Sequence, residues 1–109
     1  MNQDSDIKSQ VKKILKVVEQ IAPGKSVELR IPPYAAIQCV EGGNHRRGTP
    51  PNVVEMAGGT LINLVKDPAK WETFCNQGLI SASGTGSNLS QLFEEVSKLM
   101  ESLNGGTNG

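Results

Sequence analysis

A net charge is missing from this chain: eleven Lys and Arg side chains offset eleven Asp and Glu, and there is a single histidine. With no overall field to gather a polyanion, strong electrostatic binding of nucleic acid or anionic lipid is disfavoured as the main activity. Aromatic residues are scarce too. Tyr34, Trp71, Phe74 and Phe93 are the whole set, too few for the stacking platforms on which single-strand binders hold bases. No apolar run approaches the roughly eighteen residues of a membrane span, and no signal-peptide pattern is visible. Cysteine is limited to Cys39 and Cys75. Without paired spacing for a disulfide framework or a zinc site, both are expected as free thiols in a reducing, cytoplasmic setting. The ordinary role of such cysteines is that of small buried hydrophobes.

What is there suits one small domain. The 109 residues are 37% hydrophobic, enough for a core of about two dozen side chains at roughly 1.5–3 kcal/mol each, comparable to the ordering cost. Residues 1–103 are expected to form a single domain and the polar, glycine-rich residues 104–109 a disordered tail. From Ile7, the apolar residues Val11, Ile14, Leu15, Val18 and Ile21 recur at helical spacing, with Asp4, Ser5 and Asp6 as capping candidates and Ala22-Pro23-Gly24 as the stop. The solvent face of that helix carries Lys8, Lys12, Lys13 and Lys16, which implies at most peripheral membrane contact. Residues 26–31 alternate Val27, Leu29 and Ile31 with Glu28 and Arg30, the pattern of a half-buried strand. Pro32-Pro33 breaks it, and residues 34–41 read as a second strand with Ala35, Ile37 and Cys39 on one side, paired to the first as a hairpin.

Residues 42–52 are too rich in glycine and proline for regular structure. A short third strand is expected over 53–56. Thr60 is a candidate cap for a short helix through Leu61, Leu64 and Val65. Asp67-Pro68 signals another helix, which buries Trp71 and Phe74 before Gly78 stops it. A fourth strand, 79–83, leads through Gly84-Thr85-Gly86 to the cleanest helical stripe in the chain, from Leu89 to Leu103, with Ser87 or Asn88 as its cap.

Reactive side chains crowd into one stretch: Cys39, Glu41, His45, Arg46 and Arg47. A cysteine nucleophile needs an imidazole within hydrogen-bond reach, whereas Cys39 belongs to a strand and His45 to a loop, so thiol catalysis is disfavoured. One histidine and two distant cysteines do not make a metal site. The glycines and paired arginines could nest an anion, or Glu41 and an arginine could pair and pin the loop. Gly84-x-Gly86 before a helix is only a partial dinucleotide fingerprint, since Leu89 occupies the third glycine position and no strand follows.

Longer stretches carry a more specific signal. Val27-Glu-Leu-Arg-Ile-Pro-Pro-Tyr-Ala-Ala-Ile-Gln-Cys-Val-Glu-Gly42, His45-x-Arg47-Gly-Thr-Pro-Pro-Asn-Val-Val-Glu55, Trp71, Gly78-Leu-Ile-Ser-Ala-Ser-Gly84 and Asn88-Leu-Ser90 together resemble the small sterol-carrier-like proteins of actinobacteria, over about Ser26 to Leu92. The resemblance implies an α/β (α+β) fold in which helices cover one face of a curved, mostly antiparallel sheet of about four to five strands, with an apolar tunnel between the layers. Carried over by position, it places Ile37, Val54 and Met56 on or near the sheet, Leu61, Leu64, Trp71, Phe74 and Ile80 at the helix-sheet seam, and Phe93, Val96 and Met100 on a closing helix. Leu61, where a second tryptophan is expected, and Lys66-Asp67-Pro68, in place of a glycine-like junction, depart from the pattern. The implied function is non-catalytic carriage of a lipid, fatty acid or sterol-like molecule without a cofactor, with His45 and Arg47 at the cavity mouth to receive a headgroup. The alternatives are a filled-core interaction module that uses residues 42–52 to bind an anion or a protein, and an enzyme built on Cys39 or His45.

Overall fold

The computed structural model describes residues 3–42 and 50–105, with the backbone alone described for Gln3, Asn104 and Gly105. Helix α1 (Gln3–Ile21) opens the chain. It starts earlier than its apolar stripe, so Asp4, Ser5 and Asp6 lie inside the first turn and are not flanking caps; acid charge there complements the positive end of the helix dipole. Val11, Ile14, Leu15, Val17 and Val18 are buried. The last turn closes with Ala22 N–H on the Val18 carbonyl at 2.8 Å, and Pro23 ends the ladder.

The strands β1 (Val27–Ile31) and β2 (Ala35–Cys39) form the expected antiparallel hairpin, pairing Val27 with Cys39, Leu29 with Ile37 and Ile31 with Ala35. A tight turn over Pro32-Pro33, joined by a cis bond, separates them. Strand β3 (Asn52–Met56) then pairs in parallel with β1 on its other side, and β4 (Ile80–Ser83) is antiparallel to β3. The order is β2-β1-β3-β4, a mixed sheet in which two of the three pairings are antiparallel.

Alternation decides which face is wet. Val27, Leu29, Ile31, Cys39, Val54, Met56 and Ile80 turn inward and are buried, while Glu28, Arg30, Ala36, Gln38 and Ser81 face the other way. On that outer face Arg30 lies 3.3 Å from Glu28 and 3.7 Å from Glu55, an exposed pair of contacts of the kind that adds little stability.

The helices between β3 and β4 begin differently from expectation. Helix α2 (Gly58–Lys66) has Ala57 at its N-cap with no side-chain hydrogen bond, and Thr60 lies within the helix. The backbone packs closely at Gly58: a Cβ at this position would sit 2.8 Å from Ile7 Cγ2 and 3.1 Å from the Tyr34 ring. Tyr34 in turn donates its hydroxyl hydrogen to Asp4 of α1. Asp67-Pro68 does open a helical segment, a 3-10 turn (Pro68–Lys70) that runs into α3 (Trp71–Asn76), although Asp67 makes no capping bond. Gly78, at φ +78°, follows its end. Helix α4 (Ser90–Gly105) is capped by Asn88, whose Oδ1 accepts from Ser90 N–H at 2.9 Å. It continues two residues beyond Leu103, so Asn104 and Gly105 are helical, and 106–109 lie outside the described residues.

One polar side chain ties the lower edge of the sheet. Asn52 is buried, donates from Nδ2 to the Ser26 carbonyl at 2.9 Å and accepts from Gly86 N–H on Oδ1 at 2.8 Å. Gly84 has φ +105°, and a Cβ on it would lie 2.2 Å from Asn52 Oδ1. Ser26 is the common anchor of this corner. Its carbonyl also accepts Asn52 N–H at 3.2 Å, its own N–H donates to Val40 at 3.0 Å, and a Cβ on Gly42 would meet its Cβ at 2.5 Å.

Candidate functional site

All eleven apolar residues expected to line a cavity come together in or against one core. Val54, Leu61, Leu64, Phe93 and Val96 are fully buried, Met56, Ile80 and Trp71 nearly so, and Ile37, Phe74 and Met100 are partly exposed around them. Trp71 stacks on Phe93 with ring centroids 6.3 Å apart and planes 23° apart, joining α3 to α4 at the seam. Aromatic pairs at this separation are favourable beyond their burial. At the centre of the seam these side chains pack on one another. His45 and Arg47 lie outside the described residues, as does the arginine that could pair with Glu41.

The concave apolar surface lies one layer out, among the helices. Where α1, α2 and α4 meet, a groove of about 340 Å³ is floored by Ile14, Ile62, Val65 and Met100 and rimmed by Gln10, Lys66, Ser97 and Glu101. Three helices bring one or two apolar residues each. The α2 contribution follows from its short amphipathic stripe: Leu61 and Leu64 point into the core, so Ile62 and Val65, one residue on, face the flank. Gln10 is held by Asp6 of the preceding turn, with Nε2 donating at 3.1 Å. Only Met100 of the eleven residues reaches this groove. The periodicity of α1 and α2 marked Ile14 and Val65 as core, and nothing in one-dimensional spacing separates a floor residue from a core residue.

Two other depressions differ in character. Beside Trp71, a space of about 500 Å³ is lined mostly by polar groups, among them Glu72, Asn76, Asn88 and Glu94, and by Cys75. Burial and the neighbouring Glu72 both push the Cys75 thiol up, which disfavours the nucleophilic thiolate. On the outer sheet face, Pro32, Pro33, Tyr34, Ala35 and Ala36 border the Arg30–Glu55 pair around a shallow space of about 430 Å³.

The two cysteines lie on separate elements, β2 and α3. Cys39 is free and fully buried, and burial, helped by Glu19, pushes its thiol up from 9.0 to about 11. Among the described residues, no group of three His, Cys, Asp or Glu side chains is placed to hold a metal ion. No described helix is long and apolar enough to cross a membrane.

An open mixed sheet with four helices, its apolar side chains massed between the layers, is consistent with the sterol-carrier-like class of α+β domain. The chain belongs to the family described as bacterial SCP ortholog, whose model matches residues 3–94. Among proteins of curated function, none matches the sequence.

Proposed function

We propose that this domain binds a single apolar chain non-covalently and carries out no chemistry on it. The observation that carries this reading is the groove between α1, α2 and α4, where Ile14, Ile62, Val65 and Met100 form an apolar floor inside a polar rim. Its volume of about 340 Å³ falls at the lower end of the range of small-molecule sites, about 300–1,000 Å³. That size favours one acyl-like chain over a bulky fused-ring body. Each methylene taken from water contributes about 0.8 kcal/mol, so roughly eight buried methylenes give about 6 kcal/mol before ordering costs. Lys66 on the rim offers a cation to a headgroup while Gln10 and Ser97 offer neutral hydrogen-bond donors. Membership of a sterol-carrier-like family supports carriage as the purpose of such binding.

The packed seam favours a second reading, a filled-core interaction module. Native mass spectrometry of the purified protein, followed by organic extraction, separates the two. Bound lipid is expected, and Val65→Asp and Met100→Asp are expected to lose it with the circular dichroism spectrum unchanged, because both side chains are only partly buried. A protein that is empty as purified and takes up no fluorescent fatty acid would overturn the carrier reading and favour the interaction module.

A further inference from the structure

We propose that the groove between α1, α2 and α4 selects an amphiphile with a zwitterionic head, its anion met by Lys66 and its cation by Glu101. The inference rests on the carrier reading above and names the head of the molecule, which that reading leaves open. Among the described residues that line the groove, Lys66 and Glu101 are the charged ones, and they are opposite in sign. They come from different helices. Lys66 follows the floor residue Ile62 by one turn on α2, and Glu101 follows Ser97 by one turn on α4, with the floor residue Met100 beside it. Both side chains are exposed, and neither makes an ion pair with another described residue. One apolar floor is thus edged by a cation and an anion that do not neutralise one another.

An apolar chain seated on the floor brings its head to this rim, and heads of different charge fare differently there. A carboxylate satisfies Lys66 but adds a second anion to the rim that holds Glu101. A quaternary ammonium reverses the difficulty. An uncharged head displaces water from both charges and replaces it with nothing that pairs with them. A head that carries an anion and a cation a few bonds apart pairs with both and leaves the net charge of the rim as it was. The flexible four-carbon stem of Lys66 lets its ammonium follow the anion, and the Ser97 hydroxyl adds a neutral donor. Gln10 keeps its Nε2 on Asp6, so α1 contributes no charge to the lining.

Probes with closely matched tails isolate the head: dodecylphosphocholine, dodecanoate and dodecyltrimethylammonium, each titrated calorimetrically into the full chain below its micelle-forming concentration. Dodecylphosphocholine is expected to bind about twofold to fivefold tighter than either singly charged probe, the affinity that an exposed ion pair carries. Lys66→Gln should erase its lead over dodecyltrimethylammonium, and Glu101→Gln its lead over dodecanoate. The circular dichroism spectrum should stay unchanged in both variants, since both side chains are exposed. Dodecanoate or dodecyltrimethylammonium binding as tightly as the zwitterion would overturn the charge-pair proposal and leave the carrier reading standing. So would a lead that survives either substitution. Failure of every probe to bind would overturn both.

Discussion

Cys39 closes β2 opposite Val27, fully buried, and its thiol is pushed up from 9.0 to about 11 by burial first and Glu19 second. The unfolded chain therefore loses this proton at a lower pH than the folded one. Stability from the neutral thiol is complete below about pH 9 and is lost as the pH rises toward 11, by roughly 2 to 3 kcal/mol in total. Urea unfolding at steps between pH 8 and 11 is expected to show that decline, and Cys39→Ala is expected to flatten it. Tyr34, also pushed up through its hydrogen bond to Asp4, contributes in the same direction at higher pH, so Tyr34→Phe serves as the control. The same burial should shield native Cys39 from alkylating reagents, which mass analysis of the folded protein after iodoacetamide treatment would show. At Asn52 a different economy operates. One amide satisfies two backbone groups on separate elements, and the glycines at 84 and 86 leave room for it.

The elements were legible to different degrees. In β1 the alternation of Val27, Leu29 and Ile31 with Glu28 and Arg30 specified both strand and face, because a strand with one wet side writes its period directly into the chain. The start of α2 was not legible. Glycine stands at 58 because a Cβ there would crowd Ile7 and Tyr34, a tertiary reason that no local preference signals, and the helix takes Thr60 into its first turn. The result is a helix without a side-chain cap. Ala57 is exposed and already in the extended conformation of an N-cap, so Ala57→Asp should raise the unfolding free energy by about 1 kcal/mol, measurable by thermal or urea denaturation. At the seam between α3 and α4, Phe93→Ala should cost roughly 3–5 kcal/mol and change the fluorescence of Trp71, whose ring it faces. Phe93→Asp would strand a carboxylate in the core and unfold the domain, so the lipid reading is better probed at Val65 and Met100.

At the scale of the whole molecule, the least legible feature is the parallel pairing of β1 with β3. Hairpin pairing follows from a short turn, but which strand lies on the other side of β1 depends on contacts across twenty or more residues that no local pattern encodes. The groove was hidden for the same reason. Ile14, Ile62 and Met100 share a surface only because α1, α2 and α4 converge, and each looks like ordinary core in its own helix. What the sequence did disclose was the hydrophobic inventory, and all eleven residues drawn from the family resemblance lie in or against the core.

The Ser26 corner has a consequence for how the strands answer to one another. Gly42, past the end of β2, packs on Ser26, and Asn52, the first residue of β3, is hydrogen bonded to it. Gly42→Ala would bring a Cβ within 2.5 Å of the Ser26 Cβ, so it should lower the unfolding free energy by about 1–3 kcal/mol in a denaturant titration. Ser26 acts as a linchpin: crowding it from one side is felt in the strand fastened to its other side.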